Sequence, residues 1–351
     1  MNKDMLDLYT DYLISSFSYT TATGLASMTN DAISHDKITR FLSKKTYDSR
    51  DLWQLVKSTI RSIESEEGVL SLDDTIQEKP YTDENEIITW HYDHTEGRAV
   101  KGVNILNCIY ALNDINIPVA FEVIAKTEEY TDPKTGKVKK KAEKSKNEMM
   151  REMIQACINN KIKFSYILAD IWFGSSENMS FVKERMKKDF IFALKKNRTL
   201  ALSEDDKLNG HFQRIDSLNM QEGQLHTIYL KGLSFPVLVM KQVFKNKDGS
   251  EGELYLACSD LNLDFDQIKT LYQKRWNIET YHKSIKSNTG LAKSPTKTVR
   301  TQSNHFFMSI YAYFKLELLK IKTKCNHFAL KSKLYIHALQ ASFTRLQELS
   351  A

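Results

Sequence analysis

The chain has 351 residues, 41% apolar and 27% charged, which is ordinary for a globular protein and long enough for two or three units around a large core. Only 12 Gly and 5 Pro exclude a long flexible linker, and no apolar run reaches the length of a membrane span. Four scattered cysteines (Cys108, Cys157, Cys258, Cys325) form no C-x-x-C pair, which excludes a zinc ribbon or a disulfide framework and suits a reducing compartment.

The net charge of +6 is weak evidence for a polyanionic partner by itself. Its distribution says more, as the chain order shows. The opening string MNKDMLDLYTDYL lacks a signal-peptide core, which predicts a cytoplasmic protein. Residues 1–65 read as helices without strands, a small all-α N-terminal domain. Within it, TTATGLASMTNDAISHDKITRFLSKK reads as two short helices around a turn, the second capped by Ser34 and facing inward through Ile38, Phe41 and Leu42. Lys37, Arg40 and Lys44 then share its outward face. That face suits either a helix entering a DNA major groove or a solvated basic surface.

From about residue 66 the pattern changes to strands. GVLSLDDT is a short apolar run ending in two aspartates, followed by RAVKGVNILNCIYAL and IPVAFEVIAK around the turn NDIN. Three consecutive strands of this kind predict an antiparallel meander. The lysine-rich TEEYTDPKTGKVKKKAEKSKNE reads as an exposed loop. NEMMREMIQACINN is helical by period, FSYILAD is a strand ending in Asp170, SSENMSFVKERMKK is a helix opened by Ser175 or Ser176, and DFIFALKKN is another strand. The fold class is therefore α/β with a mixed sheet, in the order a ribonuclease H-like fold requires. Residues 200–257 break the alternation with three strands and read as an all-β insertion. A long helix from Asp264 follows, and two more helical stretches, about 300–322 and 326–348, end the chain. The expected domains are 1–65, a catalytic unit of 66–199 with 258–322, the insertion 200–257, and a C-terminal helical region 323–351.

From Lys269 to Arg300 there are eight Lys or Arg and one acid, Glu279. At about 100° per residue, Tyr272, Arg275, Glu279, Lys283 and Lys286 fall within an arc of about 80° on the long helix. Leu271, Ile278, Tyr281 and Ile285 form a separate apolar stripe. An Arg275–Glu279 pair alone would be an everyday i,i+4 ion pair. Strand-end aspartates change the reading, because functional residues of open α/β sheets collect beyond strand ends. Asp74 and Asp170 end strands that such a sheet makes neighbours. Carboxylates sharing a space repel, and divalent ions remove that penalty. Two ions a few Å apart would stabilise both oxygens of an in-line displacement at phosphorus. WHYDHTEGR adds His91, Asp93, His94 and Glu96, yet no further ligand follows at zinc spacing, and a polar hairpin beside the active site is the reading.

The string Tyr272-x-x-Arg275-x-x-x-Glu279-x-x-x-x-x-x-Lys286 resembles the Y-R-E-K signature of DDE transposases of bacterial insertion sequences. LDDT at 72–75 resembles that family's first catalytic segment and ILADIWFGSSEN at 167–178 its second, so the resemblance covers most of the chain. It implies metal-dependent cut-and-paste DNA transposition, with Asp74, Asp170 and Glu279 as catalytic and metal-binding residues and two Mg²⁺ ions, for which Mn²⁺ can substitute. Asp74 is preferred over its neighbour Asp73 because the family places the Asp before a Thr. Tyr272 and Arg275 would hold phosphates near the scissile bond, and Lys283 and Lys286 would clamp the DNA backbone. The implied partners are double-stranded DNA at the transposon inverted repeats, target DNA, and a second copy of the chain in a synaptic complex, in a bacterial, nucleoid-associated setting without a membrane. Hairpin-forming relatives stack a flipped base on an aromatic residue, typically a Trp, in the β insertion. Here Trp53, Trp90, Trp172 and Trp276 all lie outside 200–257, and Phe212, Phe235 and Phe244 are the aromatics available. Two other readings stand beside this one: a ribonuclease H-like nuclease without strand transfer, and a non-catalytic DNA-binding relative.

Overall fold

The computed structural model describes residues 3–93, 96–133, 135–245 and 248–350, so His94 lies outside the described residues. Four helices open the chain: α1 (Lys3–Ser15), α2 (Ala22–Met28), α3 (His35–Lys44) and α4 (Ser49–Ile63). Ser34 accepts from the Lys37 amide at the start of α3, and Asp48 and Asp51 satisfy each other's backbone amides at the start of α4. Next come β1 (Val69–Glu78), β2 (Thr89–Asp93), β3 (Arg98–Leu112), β4 (Ile115–Val123), β5 (Glu128–Thr131), β6 (Val138–Lys141), α5 (Lys146–Asn159), β7 (Tyr166–Ala169), α6 (Ser176–Ser180) and β8 (Asp189–Leu194). The remainder holds β9 (Thr199–Ala201), α7 (Glu204–Leu208), β10 (Gln213–Arg214), β11 (Leu225–Leu230), β12 (Val237–Lys245), β13 (Glu251–Cys258), α8 (Phe265–Gln273), α9 (Trp276–Asn288), α10 (Val299–Thr323) and α11 (His327–Ser350).

The protein is mixed α/β. One large sheet runs β10-β9-β11-β12-β13-β8-β7-β1-β3-β2, with β4 also on β3. β1, β7 and β8 are parallel neighbours, whereas β1, β3 and β4 form the antiparallel meander expected from their turn chemistry. The central order β4-β3-β1-β7-β8, with α5 crossing from β4 to β7, is compatible with a ribonuclease H-like arrangement. Such a crossover is what parallel pairing of β1 and β7 requires.

Four sequence expectations change. The insertion is not all strand, since it holds the short helix α7, and its strands extend the central sheet because β13 pairs with β8 and carries β12, β11 and β9 onward. The lysine-rich loop is a two-stranded ribbon, β5 with β6, whose facing Glu128–Lys141 and Glu129–Lys140 pairs offset like-charge repulsion. β1 does not stop at its aspartates but continues to Glu78, paired with β3 throughout. The long helix breaks between α8 and α9.

Residues 3–63 bury their apolar faces on the rest of the chain. Tyr9 hydrogen-bonds His305 of α10 at 3.1 Å, Tyr47 stacks on Phe307 at 4.8 Å, and Ser49 Oγ donates to the Phe121 carbonyl of β4. Asn304 on α10 is fully buried and accepts from the Tyr47 amide while donating to the carbonyls of Leu42 and Lys45. One core cluster thus runs from Leu6 and Leu52 to Ile105, Phe164 and Phe306. α8 closes the sheet elsewhere, seating Ile268 and Tyr272 against Val69, Leu168 and Ile191. No described helix is long and apolar enough to cross a membrane.

Candidate active site

Strand alternation decides which aspartate does what. Successive side chains of β1 point to opposite faces, so Asp73 and Asp74 part company. Asp74 faces α5: Lys146 Nζ lies 2.6 Å from its Oδ2, and Asn104 Nδ2 donates to the same oxygen at 2.8 Å. Asp73 faces α9. Register then selects its neighbour. Leu72 is paired in parallel with Ala169, and one step further sets Asp73 beside Asp170, on the same face.

α9 completes the cluster. Arg275 Nη1 lies 3.7 Å from Asp73 Oδ2 and 3.3 Å from Glu279 Oε1, so one guanidinium bridges two carboxylates contributed by β1 and α9. Ligand atoms of Asp73, Glu279 and His282 all fall within 4.8 Å of one another. Asp170 is fixed from its own loop, accepting from the Trp172 amide at 2.9 Å. Of the acids expected from the sequence, Glu279 meets Asp73 under Arg275, and Asp170 ends the strand beside it, near enough for its charge to act on Asp73. Asp74 is not brought into that contact, because a one-residue step in a strand reverses the side chain.

The electrostatics follow from crowding. Asp73 is pushed up to about 8, first by burial, then by the charges of Asp170, Glu279 and Asp74, with Arg275 opposing. Asp170 is raised by burial against the Trp172 amide and Arg275, with Asp74 adding to the rise. Burial works against the Arg275 cation, but Tyr272, Asp73, Glu279 and Asp170 outweigh it and raise its pKa. His282 is lowered to about 3 by burial, with Lys286 and Arg275 reinforcing, so its imidazole is neutral.

The α8–α9 break shapes this face. At the junction the amides of Lys274, Arg275, Asn277 and Ile278 reach back three residues instead of four, at 2.9–3.1 Å. Tyr272 ends the α8 side, buried, with its hydroxyl toward the Ala169 carbonyl and its ring 5.7 Å from the Arg275 guanidinium. Burial raises this phenol to about 12. Lys286 sits partly buried near Asp93, Glu279 and Glu78, and burial lowers its pKa. Lys283 points away, exposed, with its ammonium 5.3 Å from the Phe328 ring of α11. Lys37, Arg40 and Lys44 are exposed on α3 while Ile38, Phe41 and Leu42 are buried.

Residues 1–209 match the family described as DDE superfamily endonuclease. The chain belongs to that superfamily. Residues 131–315 also match the transposase DDE domain, and no curated protein matches the chain. A DDE-type transposase or endonuclease function, acting on DNA, follows from these families, and nucleases of this class generally use divalent metal ions.

The residues present fit such an ion. A carboxylate raised by burial and by neighbouring acids gains most from a cation, and the Asp73 and Glu279 oxygens, with Asp170 beside them, are the hard donors that Mg²⁺ or Mn²⁺ takes. His282 lies beside them as a neutral imidazole, but its Nε2 accepts from Asn107 Nδ2, which puts the ring proton on Nδ1 and leaves the carboxylates as the donors. Sequence reasoning passed over His282, although it lies three residues after Glu279 and so on the same helix face. Asn104, Asn107 and Lys146 were also passed over, and no local signal marked them, since their partners come from distant strands and helices.

Proposed function

We propose that this DDE enzyme is a transposase of the Y-R-E-K insertion-sequence type that cuts DNA at the element's ends and joins the freed strand to target DNA, with Asp73, Asp170 and Glu279 as its catalytic carboxylates. The observation that carries this is the bridging of Asp73 and Glu279 by Arg275, with Asp170 at the end of the strand beside Asp73. Asp74, the sequence-stated choice of the family pairing, becomes instead the ion partner of Lys146 in this reading. Two Mg²⁺ or Mn²⁺ ions, held by the three acids, would supply Lewis-acid activation and charge neutralisation at the phosphodiester. Arg275 keeps Glu279 and Asp73 oriented before DNA arrives. Tyr272 fixes Arg275 from beneath, and Lys286 with Lys283 and the α3 face (Lys37, Arg40, Lys44) contacts DNA phosphates. Residues 66–199 with 258–322 act as the catalytic unit, 200–257 as the insertion that extends its sheet, and 1–65 as the DNA-end reader. A homodimer would hold the two ends together through 323–351.

A strand-transfer assay with Mg²⁺ or Mn²⁺, on DNA carrying the inverted repeats that flank the gene, tests this reading. Cleavage followed by joining is the expected result. Cleavage without joining would leave a nuclease, and binding without cleavage would leave a DNA-binding relative.

A further inference from the structure

We propose that Asn107 is a positioning residue that fastens the helix carrying Glu279 to the strand carrying Asp73. The inference rests on the reading of Asp73, Asp170 and Glu279 as catalytic carboxylates. Asn107 lies on β3 as the cross-strand partner of Asp73, so the two side chains share a face. It is completely buried, where an amide is unfavourable unless both its ends are bonded. Both ends are. Its Oδ1 accepts from the Tyr281 hydroxyl at 3.0 Å, and its Nδ2 donates to the Ile105 carbonyl at 3.1 Å and toward His282 Nε2 at 3.3 Å.

Tyr281 and His282 follow Glu279 by two and three residues on α9. A single amide beside Asp73 therefore grips the helix at two side chains within one turn of Glu279. The helix needs such a grip. Because the bonds at the α8–α9 junction reach back three residues instead of four, α9 does not keep the rotation that one continuous α-helix would give it. A slip of one residue would turn Glu279 by about 100° about the helix axis, away from Asp73. An apolar residue at 107 would fill the space without choosing a rotation, whereas an amide with one acceptor and one donor end accepts only the arrangement seen. Because the amide nitrogen donates, His282 Nε2 is the acceptor and the neutral ring carries its proton on Nδ1, so the same amide sets the tautomer and orientation of an imidazole beside Asp73 and Glu279.

Two variants test the tether: Asn107→Leu, which removes all its bonds, and Tyr281→Phe, which removes a single hydroxyl far less able to disturb folding. Each is compared with wild type for thermal midpoint, affinity for inverted-repeat DNA, Mn²⁺ affinity read by the EPR signal of free Mn²⁺, and single-turnover cleavage rate. The expected result is DNA affinity near the wild-type value, with Mn²⁺ affinity and cleavage rate falling together by about tenfold or more, less in Tyr281→Phe than in Asn107→Leu. A lowered thermal midpoint in Tyr281→Phe with Mn²⁺ affinity and cleavage rate unchanged would overturn the proposal, showing Asn107 to be core filling. Wild-type protein whose Mn²⁺ binding is indifferent to Asp73→Asn would instead overturn the site assignment, and the tether with it.

Discussion

At the residue scale the decisive fact is a parity. Asp73 and Asp74 are adjacent, identical in chemistry and opposite in direction, and it is Asp73 that meets Glu279 under Arg275 while Asp74 pairs with Lys146. Asp73→Asn is therefore expected to abolish DNA cleavage and to weaken Mn²⁺ binding sharply. Asp74→Asn keeps the Asn104 contact geometry, frees Lys146 and should retain cleavage within about tenfold, since a partly exposed ion pair of this kind contributes little to stability. The reverse pattern in a cleavage assay would return the first carboxylate to Asp74. The raised pKa of Asp73 adds a second expectation. In metal-free protein this acid holds its proton up to about 8, above its ordinary 3.8, so its contribution to stability is fully present below 3.8 and is lost as pH rises toward 8. Divalent metal must displace that proton, so Mn²⁺ affinity should climb with pH through this window and level off above it. Calorimetric melts in EDTA, compared between wild type and Asp73→Asn, should show the downward slope in the wild type only. A slope unchanged by the substitution would assign it to another group.

Elements show what was legible in the sequence and what was not. Strand identities came through well, because β3, β4, β7 and β8 are apolar runs bounded by turn signals such as Asn113, which takes the left-handed conformation at φ 53°. Glu279 and Asp170 were legible because one sits on a helix face with Tyr272 and Arg275 and the other ends a strand. The direction each of Asp73 and Asp74 faces was not, since it depends on the β1–β7 register, which is a tertiary fact. The α8–α9 break was also hidden: Gln273, Lys274 and Arg275 are ordinary helix formers, and no Gly or Pro announces it. The loop after β7 carries a testable requirement. Gly174 passes so close to β8 that an added methyl would run into the Ala193 carbonyl oxygen. The same loop supplies the Trp172 amide to Asp170, and Asn178 Nδ2 donates to the Phe173 carbonyl at 2.9 Å to hold it. Gly174→Ala should lower stability by about 1–3 kcal/mol, as overpacking against unyielding backbone does, and weaken Mn²⁺ binding by displacing Asp170. Denaturant melts and EPR titration check both; an unchanged Mn²⁺ affinity would show that the loop adjusts without moving the carboxylate.

For the whole molecule, the feature that a single chain leaves unexplained is α11. Its base is anchored, with His327 buried between Ser284 Oγ at 2.9 Å and Glu317 at 2.9 Å, and with Lys331 donating to the Ser16 carbonyl at 2.7 Å. Beyond that point every described residue from 332 to 350 is exposed. The exposed residues are not uniformly polar. Ile336, Leu339, Phe343 and Leu346 recur at spacings of three and four, and Phe343 and Leu346 are each 62% exposed. That repeat makes a narrow seam of the kind that pairs two helices, and most helical stability in proteins comes from packing such an apolar face. A dimer that brings two DNA ends together would supply that partner as a second copy of α11. On this argument the protein should sediment as a dimer at micromolar concentration. Replacing Leu339 and Phe343 together by Asp should yield folded monomers whose thermal midpoint no longer rises with protein concentration, because both side chains are exposed and the association they support is gone. Cleavage of a single end by that variant should persist, while joining of paired ends should be lost. A wild-type monomer at all concentrations, or a double variant that still joins paired ends, would remove α11 from assembly.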